Sequence, residues 1–156
     1  MIYQKSLTIP AGTTKAEPVS DYMEVNKGFI YQVTAIIPTG CAGLAGIRIL
    51  DGIYQAYPTT PNEWFIGDGS HHSFTDSYIK ETPPYLFTLE GYNLDDTYDH
   101  TLTVMVGMEI KETFIARYLP SYNMQEIIKT LAAMKEAQDT QNSKVIQDAI
   151  NSLKGN

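Results

Sequence analysis

The chain has 156 residues, of which 11 are basic and 18 acidic, giving a net charge of −7, and 43% are hydrophobic. This length and balance are typical of a globular domain with its own core and exclude a disordered chain. An acidic surface repels phosphate backbones, so nucleic-acid binding is not expected. The single cysteine, Cys41, excludes an intrachain disulfide, and no apolar run approaches the roughly 20 residues of a membrane span.

The first residues, MIYQKSLTIPAG, have neither the basic start nor the long apolar core of a signal peptide. With no disulfide available, nothing in the composition requires an oxidising compartment. We therefore expect a protein that folds in a cytoplasm and is not secreted by a signal peptide.

Five segments of the first 110 residues read as β-strands: FIYQVTAII (29–37), LAGIRIL (44–50), IYQAY (53–57), YLFTLEGY (85–92) and HTLTVMVGMEI (100–110). In the last of them Leu102, Val104, Val106 and Met108 recur with a period of two, which indicates one buried and one wet face. Turn signals such as Asp51-Gly52 separate the segments. Short strands between turns predict a mainly β protein with an antiparallel β-sandwich.

The composition changes near Tyr122. All 17 aromatic residues and all 8 prolines lie at or before it, and so does the whole net charge of −7, whereas the rest has 4 Lys against 4 acidic residues. An aromatic-free segment rich in Ala, Gln, Lys and Ile predicts helix. We therefore expect a β-sandwich domain at 1–120 and a C-terminal helical segment at 121–156.

In the helical segment, Asn123 and Glu126 fit a capping box after Pro120. Apolar residues recur at helical spacing on both sides of the polar stretch QDTQNS (138–143). Either two helices meet at this stretch, with Ser143 capping the second and Gly155 ending it, or one long helix has a polar middle. The two-helix interpretation is favoured.

An apolar stripe on such a helix must be buried, against the sandwich or against another copy or protein. Association is favoured, because aromatic-free apolar stripes suit helix bundles and helix-binding grooves. The expected partner-binding residues are Met124, Ile127, Ile128, Leu131, Met134, Val145, Ile146, Ile150 and Leu153.

The stretch GYNLDDTYDH places Asp95, Asp96, Asp99 and His100 within six positions. Carboxylates beside an imidazole are used by hydrolases and metal sites. A calcium site, however, needs about six oxygens at a defined spacing, which the stretch lacks. Asn and Asp are also the ordinary residues of turns, so a hairpin turn with His100 at a strand start is the favoured interpretation.

The segment WFIGDGSHHSFTDSY (64–78) is predicted to be an ordered surface loop. His71 and His72 are adjacent and would point to opposite sides, while His72 and Asp76 would supply only two of the three or four ligands that zinc needs. Trp64 and Phe65 are either an exposed pair that stacks on a sugar or packs on a neighbouring subunit, or anchors of the loop in the core. The anchoring interpretation is favoured.

Cys41 lies in PTGCAGLAG with no basic residue nearby, which predicts a buried, inert thiol. The segment lacks the Lys-Ser/Thr ending of a phosphate loop, and the chain has neither Gly-x-Ser-x-Gly nor Cys-x-x-Cys. We therefore predict no catalytic residue, no metal site and no cofactor, and expect a protein that is not an enzyme.

Three segments together resemble small β-sandwich structural proteins of tailed bacteriophages: SLTIPAGTTKAEPV (6–19), GFIYQVTAIIPTGCAGLAGIRILDG (28–52) and PPYLFTLEGYNLDDTYDHTLTVMV (83–106). The resemblance covers roughly residues 6–110. It implies a jelly-roll-like virion protein, such as a capsid decoration, spike or neck-associated component. Such a protein would fold in the host cytoplasm and assemble with other virion proteins and with copies of itself, trimers included.

Two other functions remain open. A carbohydrate-binding β-sandwich would use Trp64, Phe65, Tyr54, Tyr57 and Tyr92 for stacking, and this is compatible with a virion spike that binds a glycan. A hydrolase would use His72 or His100 together with a nearby aspartate.

Overall fold

The computed structural model describes the backbone of residues 1–118 and 120–154 and the side chains of 1–117, 124–141, 143, 144 and 147. Contacts divide the chain into a β unit, Met1–Lys111, and a helical unit, Glu112–Asn156. Nine strands and two helices occur in the described part. They are β1 (Ile2–Ile9), β2 (Val19–Glu24), β3 (Gly28–Ile37), β4 (Ala45–Asp51), β5 (Tyr54–Tyr57), β6 (Phe65–Ile66), β7 (Ser70–Lys80), β8 (Leu86–Asn93), β9 (His100–Glu109), α1 (Lys111–Tyr118) and α2 (Pro120–Lys154).

The strands form two antiparallel sheets, which confirms the predicted mainly β, antiparallel class. One sheet has the order β1-β9-β3-β7, and the other has the order β2-β8-β4-β5, with β6 also paired to β4. The pairings are nested along the chain: β1 with β9, β2 with β8, β3 with β7 and β4 with β5. Successive nested pairs alternate between the two sheets.

Alternating apolar residues of both sheets form one hydrophobic core. In β9, the residues Leu102, Val104, Val106 and Met108 are fully buried, as their period of two predicts. The opposite face of β9 is not exposed to solvent along its whole length, because the ring of Tyr31 covers Gly107. A Cβ at position 107 would lie 2.6 Å from that ring. The second sheet contributes mainly apolar residues of β4 and β8, namely Ile47, Ile49, Phe87 and Leu89.

The two sheets approach each other closely at Gly91 of β8. A Cβ on Gly91 would lie 2.3 Å from Cδ1 of Ile9 and 3.1 Å from Cδ2 of Leu7, both on β1 of the other sheet. Because Ile9 is fully buried, its side chain has little room to move. Glycine at position 91 therefore allows the side chains of β1 to pack directly on the backbone of β8.

The prediction of a surface loop at residues 64–78 is wrong. Residues 65 and 66 form β6, and β7 begins at Ser70 and continues to Lys80 as an edge strand paired with β3. Every second side chain of β7 faces inward. From position 72 onward these inward side chains are His72, Phe74, Asp76, Tyr78 and Lys80. Because polar and aromatic residues are mixed on that side, the sequence shows no apolar alternation.

Polar groups on the inner side of β7 bind residues of the second sheet. The hydroxyl of Tyr57 donates to Oδ2 of Asp76 at 2.7 Å, and the hydroxyl of Tyr78 donates to Oδ2 of Asp51 at 2.9 Å. Lys80 is buried and forms an ion pair with the same Asp51. Burial, followed by the bond to Asp51, raises the pKa of Tyr78 to about 12. These phenols therefore remain protonated and act as structural donors between the sheets.

The predicted helix boundaries need two corrections. The second helix begins at Pro120, three residues before the predicted cap at Asn123, and it continues without a break through residues 138–143. Proline suits a first helical position, because its missing N–H would have no partner there. Within the polar stretch, Thr140 donates its hydroxyl to the carbonyl of Glu136 at 2.8 Å and remains helical. The two-helix interpretation with a cap at Ser143 is therefore wrong, and Gly155 lies outside the described residues.

Candidate functional site

The acidic turn of the sequence connects β8 to β9. Oδ1 of Asp95 accepts hydrogen bonds from the backbone N–H groups of Thr97 at 2.9 Å and Tyr98 at 3.2 Å. Oδ2 of the same carboxylate lies 3.0 Å from Nε2 of His100, the first residue of β9. The carboxylate thus shapes the turn, and His100 begins β9 as predicted. However, β8 and β9 lie in different sheets, so the turn crosses from one sheet to the other and the predicted hairpin is wrong.

The same turn is attached to the end of β1. Asp99 accepts a hydrogen bond from the N–H of Ala11 at 2.9 Å. The buried amide of Asn93 donates to the carbonyls of Ile9 at 3.2 Å and Tyr98 at 2.8 Å. Among the described residues, no group of three or more His, Cys, Asp or Glu side chains could hold a metal ion. The turn is therefore a junction between chain segments.

Hydrogen bonds lower the pKa of Asp95 below its ordinary value of 3.8. The N–H of Thr97 contributes most, partial burial opposes it, and Tyr98 and His100 lower the pKa further. Since the folded-state pKa is below the unfolded one, the carboxylate stabilises the fold above about pH 4 and loses this effect as pH falls through the folded value.

We therefore expect Asp95→Asn to lower the free energy of unfolding at neutral pH, and the difference from the wild type to shrink as the pH falls below about 4. Denaturant unfolding at several pH values measures this difference. Asp96→Asn is the matched control, because that carboxylate is exposed and accepts a hydrogen bond from the hydroxyl of Thr97. A difference for Asp95→Asn that does not depend on pH would contradict the role assigned to its charge.

The structure does not bring the histidines of residues 64–78 together with Asp76 as a set of ligands. His71 is exposed, whereas Nε2 of His72 lies 2.8 Å from the carbonyl of Ile66. Asp76 lies four residues further along β7, about 13 Å away at the usual rise of a strand. Its carboxylate accepts the hydroxyl of Tyr57. His72 and Asp76 are therefore held by separate structural hydrogen bonds.

Trp64 and Phe65 are buried, which confirms the anchoring interpretation and rules them out as an exposed pair. The ring of Trp64 packs edge-on against Tyr92, with centroids 4.9 Å apart, and the guanidinium of Arg48 lies 4.3 Å from the indole centroid. Arg48 in turn forms an ion pair with Glu90 at 2.6 Å. This stack fixes the loop on the second sheet.

The aromatic residues proposed for sugar stacking do not form an exposed row. Tyr57 and Tyr92 are buried with Trp64 and Phe65, and only Tyr54 is exposed, at 59%. The row fails because four of the five rings are buried. Gln55 holds the neighbouring 58–64 segment through hydrogen bonds to the carbonyls of residues 58, 60 and 63.

Cys41 is fully buried, as predicted. Burial raises the pKa of its thiol, and the negative charges of Asp68 and Asp95 act in the same direction. A protonated, inaccessible thiol is a poor nucleophile. Cys41 is therefore part of the core.

The predicted partner-binding residues of α2 lie on one face of a continuous helix. Their side chains are 53–64% exposed where they are described, and we call this set the apolar stripe: Met124, Ile127, Ile128, Leu131 and Met134. The side chains of Val145, Ile146, Ile150 and Leu153 lie outside the described residues, although the helix backbone includes their positions. At 35 residues, α2 is about 50 Å long.

Exposure distinguishes the apolar stripe from the other candidates. Each leucine, isoleucine or methionine of this kind stabilises a protein by roughly 1.5–3 kcal/mol when it is fully buried. Five of them within three turns form a contiguous exposed apolar surface, and such surfaces mark interaction sites. The helical spacing in the sequence identified these residues, whereas the histidine and aspartate clusters proved to be structural.

No protein-family model matches the sequence, and no curated protein is significantly similar to it. Within the described residues, neither helix combines the length and the apolar composition needed to span a bilayer.

Proposed function

We propose that the protein is a non-enzymatic structural component of a bacteriophage particle that acts through protein–protein assembly, as a capsid decoration, spike or neck-associated protein. The observation that carries this proposal is the apolar stripe of α2, because an exposed stripe on so long a helix is stabilised when a partner covers it. The partners are copies of the same chain and other virion proteins.

The strand order supports a jelly-roll-like sandwich for the β unit. When the two-residue β6 is set aside, eight strands remain, and they pair first with last, second with seventh, third with sixth and fourth with fifth. These pairs alternate between two sheets, as two interlocked Greek keys require. The contact of Ile9 with Gly91 supports face-to-face packing of the sheets. Viral capsid domains are among the proteins that use this architecture.

The roles of the polar candidates also support binding rather than catalysis. Asp95 and Asp99 bind backbone N–H groups, and His72 binds a backbone carbonyl. A general acid or base must instead present its side chain to a substrate. Function is therefore assigned to surfaces, and the fold alone would not assign it.

A fragment of residues 1–120 tests the proposal against the full chain. We expect the fragment to fold and to remain monomeric, and the full chain to form a discrete oligomer, because the fragment keeps all strands but lacks the apolar stripe. Light scattering after size exclusion measures both masses, and circular dichroism checks the fold. An insoluble fragment, or a full chain and fragment that are both monomers, would contradict the division of roles.

Glycan binding is a second candidate, and it is favoured by a recess of about 380 Å³ in the β unit. The recess is lined by the aromatic residues Phe65 and Phe74 and by the polar residues Asp76, Thr59 and Thr75. Apolar rings next to hydrogen-bonding groups are suited to sugars. Binding of the full chain to a glycan array tests this candidate, and an array without binding removes it.

A further inference from the structure

We infer that Lys80 and Asp51 join covalently in the folded chain, through an amide bond between Nζ of the lysine and Cγ of the aspartate. The two residues are 29 positions apart in the sequence. Lys80 ends β7 of one sheet, and Asp51 ends β4 of the other. The bond would therefore clamp the two sheets together. The inference is independent of the proposed function, because it concerns the interior of the β unit and involves no partner.

The pair lies in a largely dry environment. The side chain of Lys80 is 3% exposed and that of Asp51 is 22% exposed, and Nζ contacts Oδ1 of the carboxylate. The ring of Phe87 lies with its centroid 5.3 Å from the same nitrogen. Removing two charges from water costs free energy even when they are paired. Conversion of the pair into a neutral amide would remove both buried charges.

The two strands hold the reacting groups against each other. Because Nζ contacts Oδ1, the carboxyl carbon one bond further lies near the roughly 3–3.5 Å at which reacting atoms meet in aligned groups. Groups fixed in this way react as if at about 10⁵–10⁸ M, which no two free molecules attain. Exclusion of water from the site also protects the product from hydrolysis.

Tyr78 supplies a hydrogen-bond donor to the carboxylate oxygen that Lys80 does not contact. Its hydroxyl donates to Oδ2 of Asp51 at 2.9 Å. Burial, followed by the bond to Asp51, raises the pKa of this phenol to about 12, so the hydroxyl remains a donor at neutral pH. A donor that is fixed on a developing oxyanion lowers the barrier of acyl transfer. Oδ2 is therefore the oxygen on which negative charge would be stabilised.

The reaction needs no oxidant, reductant or other co-reactant. The ammonium transfers one proton to Oδ1, which gives a neutral amine and a carboxylic acid. The nitrogen lone pair then attacks Cγ, and the electrons of the C=O bond move to Oδ2, beside the hydroxyl of Tyr78. A second proton passes from nitrogen to Oδ1, the bond between Cγ and Oδ1 breaks, and water leaves. One ammonium and one carboxylate thus give one amide and one water molecule.

The link would act like a disulfide that does not depend on an oxidising compartment. Closing a segment of 29 residues restricts the unfolded chain and so favours the folded state. A single cysteine cannot provide an intrachain disulfide for this purpose.

Mass spectrometry of the denatured full chain tests the inference. We expect the intact mass to be lower than the sequence mass by one water molecule. Trypsin should not cleave after Lys80, because an acylated lysine has lost its charge. Further cleavage after Glu63, which lies between the two linked positions, should leave the pieces that contain Asp51 and Lys80 joined.

Two controls identify the source of the lost water. Lys80→Arg keeps a positive charge beside Asp51 but removes the nucleophilic amine, so it should have the full sequence mass. The exposed pair of Lys5 and Asp21, at 2.7 Å and with 34% and 44% of the side chains exposed, should give separate peptides.

Either of two results would overturn the inference. One is a wild-type chain that has the full sequence mass. The other is a loss of water that persists in Lys80→Arg, since an imide formed within Asp51-Gly52 also loses one water but does not join two peptides. If Lys80→Arg fails to fold, the digest of the wild type decides alone. Because the chain is denatured for the measurement, neither result bears on the proposed assembly.

Discussion

Leu131→Glu is expected to convert the associated protein into a monomer. Leu131 is 59% exposed in the single chain, so the substitution disturbs no packed core. In the assembly it would place a carboxylate on the covered apolar stripe of α2, away from water and without a partner. The effective penalty is several kcal/mol per buried charge, so association should weaken by roughly a hundredfold or more. Light scattering at matched concentrations measures the loss.

Ala133→Glu is the control for this substitution. It adds the same charge two residues away, on the side of α2 opposite the apolar stripe. We expect its mass to equal that of the wild type, and both variants to unfold at the wild-type denaturant midpoint of the β unit. Equal dissociation by both variants would show that charge alone, and not the apolar stripe, controls association.

Phe87→Ala is expected to lower the free energy of unfolding of the β unit by about 3–5 kcal/mol. Phe87 is fully buried in the core that the two sheets share. Its ring contacts that of Tyr78, with centroids 6.2 Å apart, and the ammonium of the buried Lys80 lies 5.3 Å from its centroid. The truncation would therefore leave a cavity and also remove a favourable contact of a buried cation.

Tyr22→Ala on the neighbouring strand β2 provides the comparison, because Tyr22 is 60% exposed. Denaturant unfolding should give a change within about 0.5 kcal/mol for this surface variant. Neither variant should alter the oligomer at low denaturant, since both lie in the β unit. A loss below about 1 kcal/mol for Phe87→Ala would mean that the sheets do not share the core as described.

The sequence predicts those strands whose buried sides are purely apolar. The period of two in β9 and the β-branched run of β3 locate both strands to within a residue. The edge strand β7 could not be found in this way, because its inner side includes His72, Asp76 and Lys80, whose partners lie in the other sheet. Their burial depends on tertiary hydrogen bonds that no local pattern encodes.

The same distinction applies to the candidate sites. The spacing of Met124, Ile127 and Leu131 identified the apolar stripe, because helical periodicity is local. The role of Asp99 could not be read locally, since it binds the N–H of Ala11, 88 residues earlier in the sequence. The helix start was misplaced because Asn123 and Glu126 have the chemistry of a cap, whereas Pro120 fits the first helical position equally well.

We propose that the protein works as an assembly whose copies are joined by α2. The most direct measurement is the mass of the intact chain by light scattering over a wide range of concentrations. We predict a discrete multiple of the 17.4 kDa chain mass that dissociates only on strong dilution. A mass of 17.4 kDa at every concentration would contradict self-assembly through α2.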